Sequence, residues 1–259
     1  MKDLSNENVI HVKKDGIQYL QFRKLLEYKD KITHCYTLKD FDLKNKSKDS
    51  NDYKKICKEL NINNENIVHP KQTHTNIVKE VNENNTSSDF IEVDGLITNQ
   101  KNKILSLVFA DCTSLFLYDP TKNIIGNIHS GWKGTVQKIG KIAIQKMQTE
   151  YNCNPKDIIC CIGPTIRKCH FEVNDDVKDI FMKSFNDESI IQKTEIKDGK
   201  QKYHIDAVKA NVNMLKKCGL KEENIIDSGI CTVCNNDLLH SYRTEKDKAG
   251  RNAAIIGLV

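Results

Sequence analysis

Apolar residues fall in short, closely spaced blocks through the middle of this 259-residue chain. "NIVKEV", "DGLITN", "ILSLVFA", "SLFLYD" and "IIGNIH" follow one another over residues 76–129 with short turns between them, which predicts consecutive strands. The period then changes. "TVQKIGKIAIQKMQTEY" places Val136, Ile139, Ala143 and Met147 along one helical face, and upstream "YKKICKELNI" does the same with Tyr53, Ile56, Cys57 and Leu60. "DIICCIG" reads as a strand ending at Gly163-Pro164, "DDVKDIFMKSF" as a helix, and "EIKDGKQKYHI" as a hairpin around Asp198-Gly199. "DAVKANVNMLKKCG" is a helix with Asp206 as N-cap and Gly219 just past its end. "NIIDSGICT" and "AAIIGLV" complete the strands.

There is no internal repeat and no Pro- or Ser-rich linker. Two polar tracts, "DLKNKSKDSNDYKK" and "VNENNTSSDF", do not separate two bodies of strong pattern, and the second reads as a surface loop between strands. One domain over residues 1–259 is expected. Several strands in succession, mixed with helices, predict an α+β fold with mixed β-sheets flanked by helices, not a doubly wound one.

Composition narrows the class. The net charge of +5 comes from 40 Lys+Arg against 35 Asp+Glu. No run of five or six basic residues appears, so a nucleic-acid partner is not indicated. No stretch approaches the ~18 apolar residues of a membrane span. "MKDLSNENVIHVKKDG" lacks the apolar centre of a signal peptide. Cysteines sit inside apolar strands, as in "IICCIGP", where a thiol behaves as a small hydrophobe. A reduced, cytoplasmic protein is the expectation.

Three segments at strand ends could carry chemistry: "HPKQTHTNIV" with His69 and His74, "LVFADCTSLFLYD" with Cys112, and "IGNIHSGWKGT" with His129 and the only tryptophan. Consecutive strands are usually neighbours, so Cys112 and His129 can meet. A thiolate beside an imidazole is an activated nucleophile. A cysteine with two histidines is instead an open three-ligand zinc site. Spacing does not separate the two, and a buried thiol beside a turn histidine fits the same residues. Elsewhere "CTVC", Cys231 to Cys234, has redox or zinc spacing but no second pair in sequence, and reads as a strand end with one buried thiol. In "KCHFEV", Cys169 and His170 would face opposite ways on a strand. His11, His34, His204 and His240 carry no pattern beyond that of surface or satisfied histidines. Gly131-Trp132-Lys133-Gly134 matches the G-x-x-G of RNA-binding KH loops, but it follows a strand where that loop joins helices.

Together, "HPKQTH", "DGLIT" with "FADC", "IGNIHSGWKGT", "IGPTIRKCHFEV" and "CTVCNNDLLHSYR...AGR" occur in the order of the YfiH or laccase-domain family, which this chain resembles over roughly residues 30–259. Members of that family are described as polyphenol oxidase-like proteins and as purine nucleoside phosphorylases. The resemblance implies a fold like that of cytotoxic necrotizing factor-type deamidases. It also implies a zinc site on His74, Cys112 and His129, which would serve as catalytic residues too. The implied reactions are phosphorolysis of adenosine, inosine, guanosine and methylthioadenosine, and deamination of adenosine.

Purine nucleosides and phosphate are therefore the expected partners, with Lys133 and Arg243 as candidates for phosphate. Three departures bear on substrate. "HSGWKG" has Lys133 where the family has arginine, and a lysine keeps the charge but loses the bidentate fork. "KCHFEV" replaces "CCYEV", and "LLHSYRT" keeps Arg243 of "FFSYRR" but loses the second arginine. Two other readings stay open: a metal-free Cys/His hydrolase or amidase acting on cell-wall precursors, and a copper-dependent polyphenol oxidase. The second lacks the paired His-x-His ligands of multicopper sites, since no two of the eight histidines lie two residues apart.

Overall fold

The computed structural model describes residues 2–44 and 47–259; Met1 and, in the first polar tract, Asn45 and Lys46 lie outside the described residues. In chain order come β1 (Val9–Lys14), β2 (Ile17–Phe22), α1 (Arg23–Leu26), β3 (Ile32–Thr37), α2 (Asn51–Glu59) and β4 (Ile67–Val68). Next are β5 (Val78–Glu80), β6 (Gly95–Thr98), β7 (Ile104–Phe109), β8 (Thr113–Asp119), β9 (Ile124–Ser130), α3 (Trp132–Val136) and α4 (Ile139–Tyr151). The remainder is β10 (Ile159–Ile162), β11 (Glu172–Val173), α5 (Asp175–Phe185), β12 (Ile191–Lys197), β13 (Lys200–Ile205), α6 (Ala207–Lys217), β14 (Ile225–Asp227), α7 (Tyr242–Glu245) and β15 (Asn252–Leu258).

The strands form two six-stranded sheets, β1-β2-β3-β15-β7-β4 and β14-β10-β8-β9-β6-β5, and a small third one, β11-β13-β12. Both large sheets mix parallel and antiparallel pairs. The inner strands β7, β8, β9 and β15 are buried along their whole length because each face meets a different layer. On β7, Leu105, Leu107 and Phe109 enter the core between the two sheets, while Ile104 and Val108 turn outward to α2. On β8, Phe116 and Tyr118 face the first sheet, while Leu115 and Leu117 pack on α4 and α6. The order of layers is therefore α2, first sheet, second sheet, then α4 with α6. This is the α+β architecture that the alternating blocks and helical faces predicted.

Some expected elements are shifted. The helix foreseen over 135–151 is broken: Lys138 adopts φ 61°, so α3 and α4 are separate. Ile139, Ala143 and Met147 stay together on the second sheet, but Val136 turns away to pack with Trp132 near α5. The stretch 224–232 contributes only the short β14. Asp206 caps α6 by accepting the Lys209 N–H, and Gly219 follows at φ 97°, as expected. Among the described residues, no helix is long and apolar enough to cross a membrane.

Candidate metal centre

β6, β9 and β8 lie side by side, with β9 antiparallel to both, so the starts of β6 and β8 and the end of β9 share one edge. Parity then aims the side chains. Along β9, Ile125, Asn127 and His129 all face the first sheet: Ile125 enters the inter-sheet core, Asn127 donates to the Leu105 and Ala254 carbonyls, and the His129 ring lies 5.3 Å from that of Phe109. Cys112 precedes β8 on the face of Phe116 and packs against the same core. His74 reaches the edge from the loop between β4 and β5, its ring 4.9 Å from His129. The donor atoms of His74, Cys112 and His129 all fall within 4.8 Å of one another, with Cys112 Sγ 3.8 Å from His74 Nε2.

Asp94, just before β6 and fully buried, organises this edge. Its carboxylate lies 2.7 Å from His129 Nδ1, which leaves Nε2 for a ligand bond. It also accepts the backbone N–H groups of Thr73, His74 and Thr75, and so fixes the loop that carries His74. Burial works against ionisation of Asp94, but the His129 and Thr75 contacts outweigh it and hold the group as a carboxylate. Burial likewise opposes ionisation of the Cys112 thiol, yet the His129 and His74 imidazoles bring it down to about 6. On His129 burial favours the neutral ring, and the Cys112 thiolate with Asp94 reverses this and raises it to about 9. Gly131 closes the edge: a Cβ there would stand 2.8 Å from His74 Cδ2 and 3.2 Å from Cys112 Sγ. Two imidazoles, one ionisable thiol, a carboxylate behind one imidazole and a backbone kept clear at glycine fit a zinc-type ion with three protein ligands.

The three residues open on a cavity of about 550 Å3 lined also by Trp132, Thr165, Phe171, Tyr242, Lys44, Arg243 and Arg251. Arg243 is held at three points. Its N–H donates to Asp111 Oδ2, and its guanidinium donates to the carbonyls of His170 and Glu172. Lys133 is exposed, with Nζ 5.8 Å from the Trp132 ring centre, and the cavity wall at this point is Trp132. His69 lies edge-on to Tyr53, on the α2 side of the first sheet. His34 and His240 are buried and hydrogen-bonded in the core.

Sequence reading missed Asp94, Lys44 and Arg251. Asp94 had a signal, since an acid opening the apolar "DGLIT" shares the face of Leu96 and must find a partner. The structure also corrects the reading of the other cysteines. Cys169, His170, Cys231 and Cys234 bring donor atoms within 4.8 Å of one another. Cys169 and His170 lie in a turn, not on a strand, so adjacent side chains reach the same side.

Layered sheets with a His2Cys donor set at one edge define an α+β protein with a candidate metal centre. The chain belongs to the family described as multi-copper polyphenol oxidoreductase laccase, whose family model matches residues 39–259. It is 34% identical over 210 residues to purine nucleoside phosphorylase YlmD of Bacillus subtilis, covering 78% of this chain and 74% of that protein. It is 33% identical over 198 residues to a purine nucleoside phosphorylase of Clostridium acetobutylicum, covering 75% and 78%. The crystal structure of the hypothetical protein YfiH of Bacillus licheniformis superposes with a TM-score of 0.84 at 26% identity over 95% of this chain and 98% of that one. YlmD of Geobacillus stearothermophilus gives 0.82 at 25% over 96% and 99%.

Proposed function

We propose that this protein cleaves purine nucleosides with phosphate, using zinc held by His74, Cys112 and His129, and that it deaminates adenosine as a second activity. The observation that carries this reading is one cavity of nucleoside size whose lining combines the donor set, the cations Lys44, Arg243 and Arg251, and the rings of Trp132, Phe171 and Tyr242. The relatives in Bacillus subtilis and Clostridium acetobutylicum, both named purine nucleoside phosphorylases, support the phosphorolysis part of it. Zinc bound by two imidazoles and a thiolate supplies a Lewis acid.

The chain's own groups do the rest. Arg243 spends two guanidinium N–H groups on backbone carbonyls, which fixes the plane in which the others meet an oxyanion. Arg251, tied to the Ala249 and Gly250 carbonyls, and Lys44, tied to the Asp247 carbonyl, add positive charge to the same lining. In phosphorolysis the sugar–base bond breaks, a phosphate oxygen bonds to the sugar carbon, and the purine departs with a proton. The three cations hold the attacking phosphate. The aromatic rings offer faces to a purine and displace water that would compete for the sugar carbon.

The test is incubation with inosine or adenosine, with and without phosphate, and chromatography of the products. Free base with sugar phosphate is expected only when phosphate is present, and inosine from adenosine in either case. Cys112→Ser, His74→Ala and His129→Ala should each lose metal and both activities. Absence of base release from fully metallated protein in phosphate would sink the phosphorylase reading.

A second reading is favoured by the chain Asp94–His129–Cys112, in which a carboxylate orients an imidazole beside a thiol held at about 6. That is the arrangement of a metal-free cysteine hydrolase or amidase, and it predicts activity that survives chelators. Metal analysis of protein purified without added metal separates zinc from copper, and stoichiometric copper would favour the oxidase in the family's description.

A further inference from the structure

Cys231 and Cys234 stand on the turn that follows β14, and Cys169 and His170 on the turn before β11, some sixty residues away. Backbone pairing brings the turns together: Thr165 N–H donates to the Ile230 carbonyl, and Thr232 N–H to the Thr165 carbonyl. Four donor atoms then converge. Cys169 Sγ lies 3.7 Å from Cys231 Sγ and 3.9 Å from Cys234 Sγ. His170 Nδ1 lies 3.1, 3.7 and 3.5 Å from the sulfurs of Cys169, Cys231 and Cys234.

Tetrahedral zinc, with Zn–S of about 2.3 Å and Zn–N of about 2.05 Å, requires sulfurs about 3.8 Å apart and nitrogen about 3.5 Å from each sulfur. The observed separations scatter around those values. They are too long for a disulfide, whose sulfurs sit about 2.05 Å apart. We propose that Cys169, His170, Cys231 and Cys234 form a second metal site that binds one Zn2+ and clamps the two turns together.

Its chemistry differs from that of the first site. Four protein donors close the coordination sphere, so no position is left for substrate, which is the pattern of structural zinc. Three thiolates select a thiophilic ion over magnesium or calcium. Cys169 and Cys234 are exposed and His170 half-buried, so the site lies at the surface, where an ion can enter. The clamp also reaches the cavity wall. His170 offers its ring to the ion and its carbonyl to Arg243, so one residue links the clamp to that arginine.

The test uses the full chain, grown with zinc and desalted, with metal measured per chain. Cys169→Ser and Cys234→Ser should each lose about one zinc relative to the starting protein, while Cys112→Ser loses the other. Cobalt then gives a readout free of zinc counting. In the Cys112→Ser background, Co2+ should produce an intense thiolate charge-transfer band, and Cys234→Ser added to that background should abolish it while the far-UV circular dichroism stays unchanged. Unchanged zinc in Cys234→Ser, no such band in the Cys112→Ser protein, or a disulfide among these cysteines in the purified protein would each overturn the proposal. None of these outcomes depends on nucleoside cleavage, so the fate of the cavity reading is decided separately.

Discussion

His74 and Asp111 both hold left-handed backbone, at φ 64° and 81°; His74 belongs to the candidate metal centre and Asp111 immediately precedes its Cys112. Such a residue costs on the order of 1 kcal/mol and persists only where its surroundings over-determine it. Here Asp94 binds the 73–75 backbone, while Asp111 accepts from the Thr232 hydroxyl and the Arg243 N–H. Gly131 lies at φ −64°, so its own backbone would accept any residue, and its constraint is space alone. Gly131→Ala is therefore expected to fold and to lose bound zinc, because His74 must move; metal content that matches the parent protein would refute this. Asp94→Asn should weaken zinc about 10- to 100-fold through His129, measured by competition with a chelator.

Away from the centre, His34 is fully buried beside Phe22 and Phe116, and burial pushes its pKa down to about 3. Nε2 accepts the Phe22 N–H and must stay unprotonated to do so. In the unfolded chain the group titrates near 6.5. Between these values the unfolded state carries a proton that the folded state lacks, so stability falls as the pH falls, by about 1.4 kcal/mol per unit. From pH 7 to 5 the urea midpoint of the parent should therefore drop by the equivalent of about 2 kcal/mol more than that of His34→Gln. Equal drops would exclude this histidine as the cause. Pattern marked Cys112 and His129 as reactive residues at the ends of apolar blocks, but it left His69 beside His74, and only the family resemblance singled out His74, which lies in a polar loop. Neither made Asp94, Lys44 or Arg251 legible as site residues, since a lone acid or cation acquires meaning only from what packs beside it.

At the level of elements, period served well where one face is buried and poorly where the chain turns. The break at Lys138 shows why. Residues 135–151 satisfy one helical period, yet Val136 and Ile139 belong to different hydrophobic clusters, and a left-handed residue between them is what lets each reach its own. β1 and β2 escaped notice because "VIHVKK" and "IQYLQF" carry exposed or half-buried polar residues among the apolar ones and pair only with their neighbours at the sheet's edge. Asp206 was legible, since an acid three residues ahead of a helix N–H is a local signal. Asp206→Ala should cost about 1 kcal/mol and lower Tm by about 2–4 °C without altering metal content. A scanning calorimetry trace unchanged from the parent would show that the cap does nothing.

Over the whole molecule, α+β class and the run from β5 to β9 followed from pattern, but the stacking of two sheets did not. Runs such as "ILSLVF" are apolar at every position, and only the tertiary structure says which residues face the partner sheet and which face a helix. The paired turns at Cys169 and Cys231 were hidden for a related reason: about sixty residues of chain separate them, and no local period spans that distance.

β15 follows every other strand in the sequence, yet it lies inside the first sheet, with β3 on one side and β7 on the other. A ribosome must therefore deliver nearly all of this chain before that sheet can form, and until then β3 and β7 present unpaired edges to their surroundings. Folding should be late and slow, governed by contacts distant in sequence. Chains ending before Asn252 should accumulate as protease-sensitive aggregates, whereas the full chain resists a pulse of protease. Equal resistance would mean that the sheet closes without its last strand.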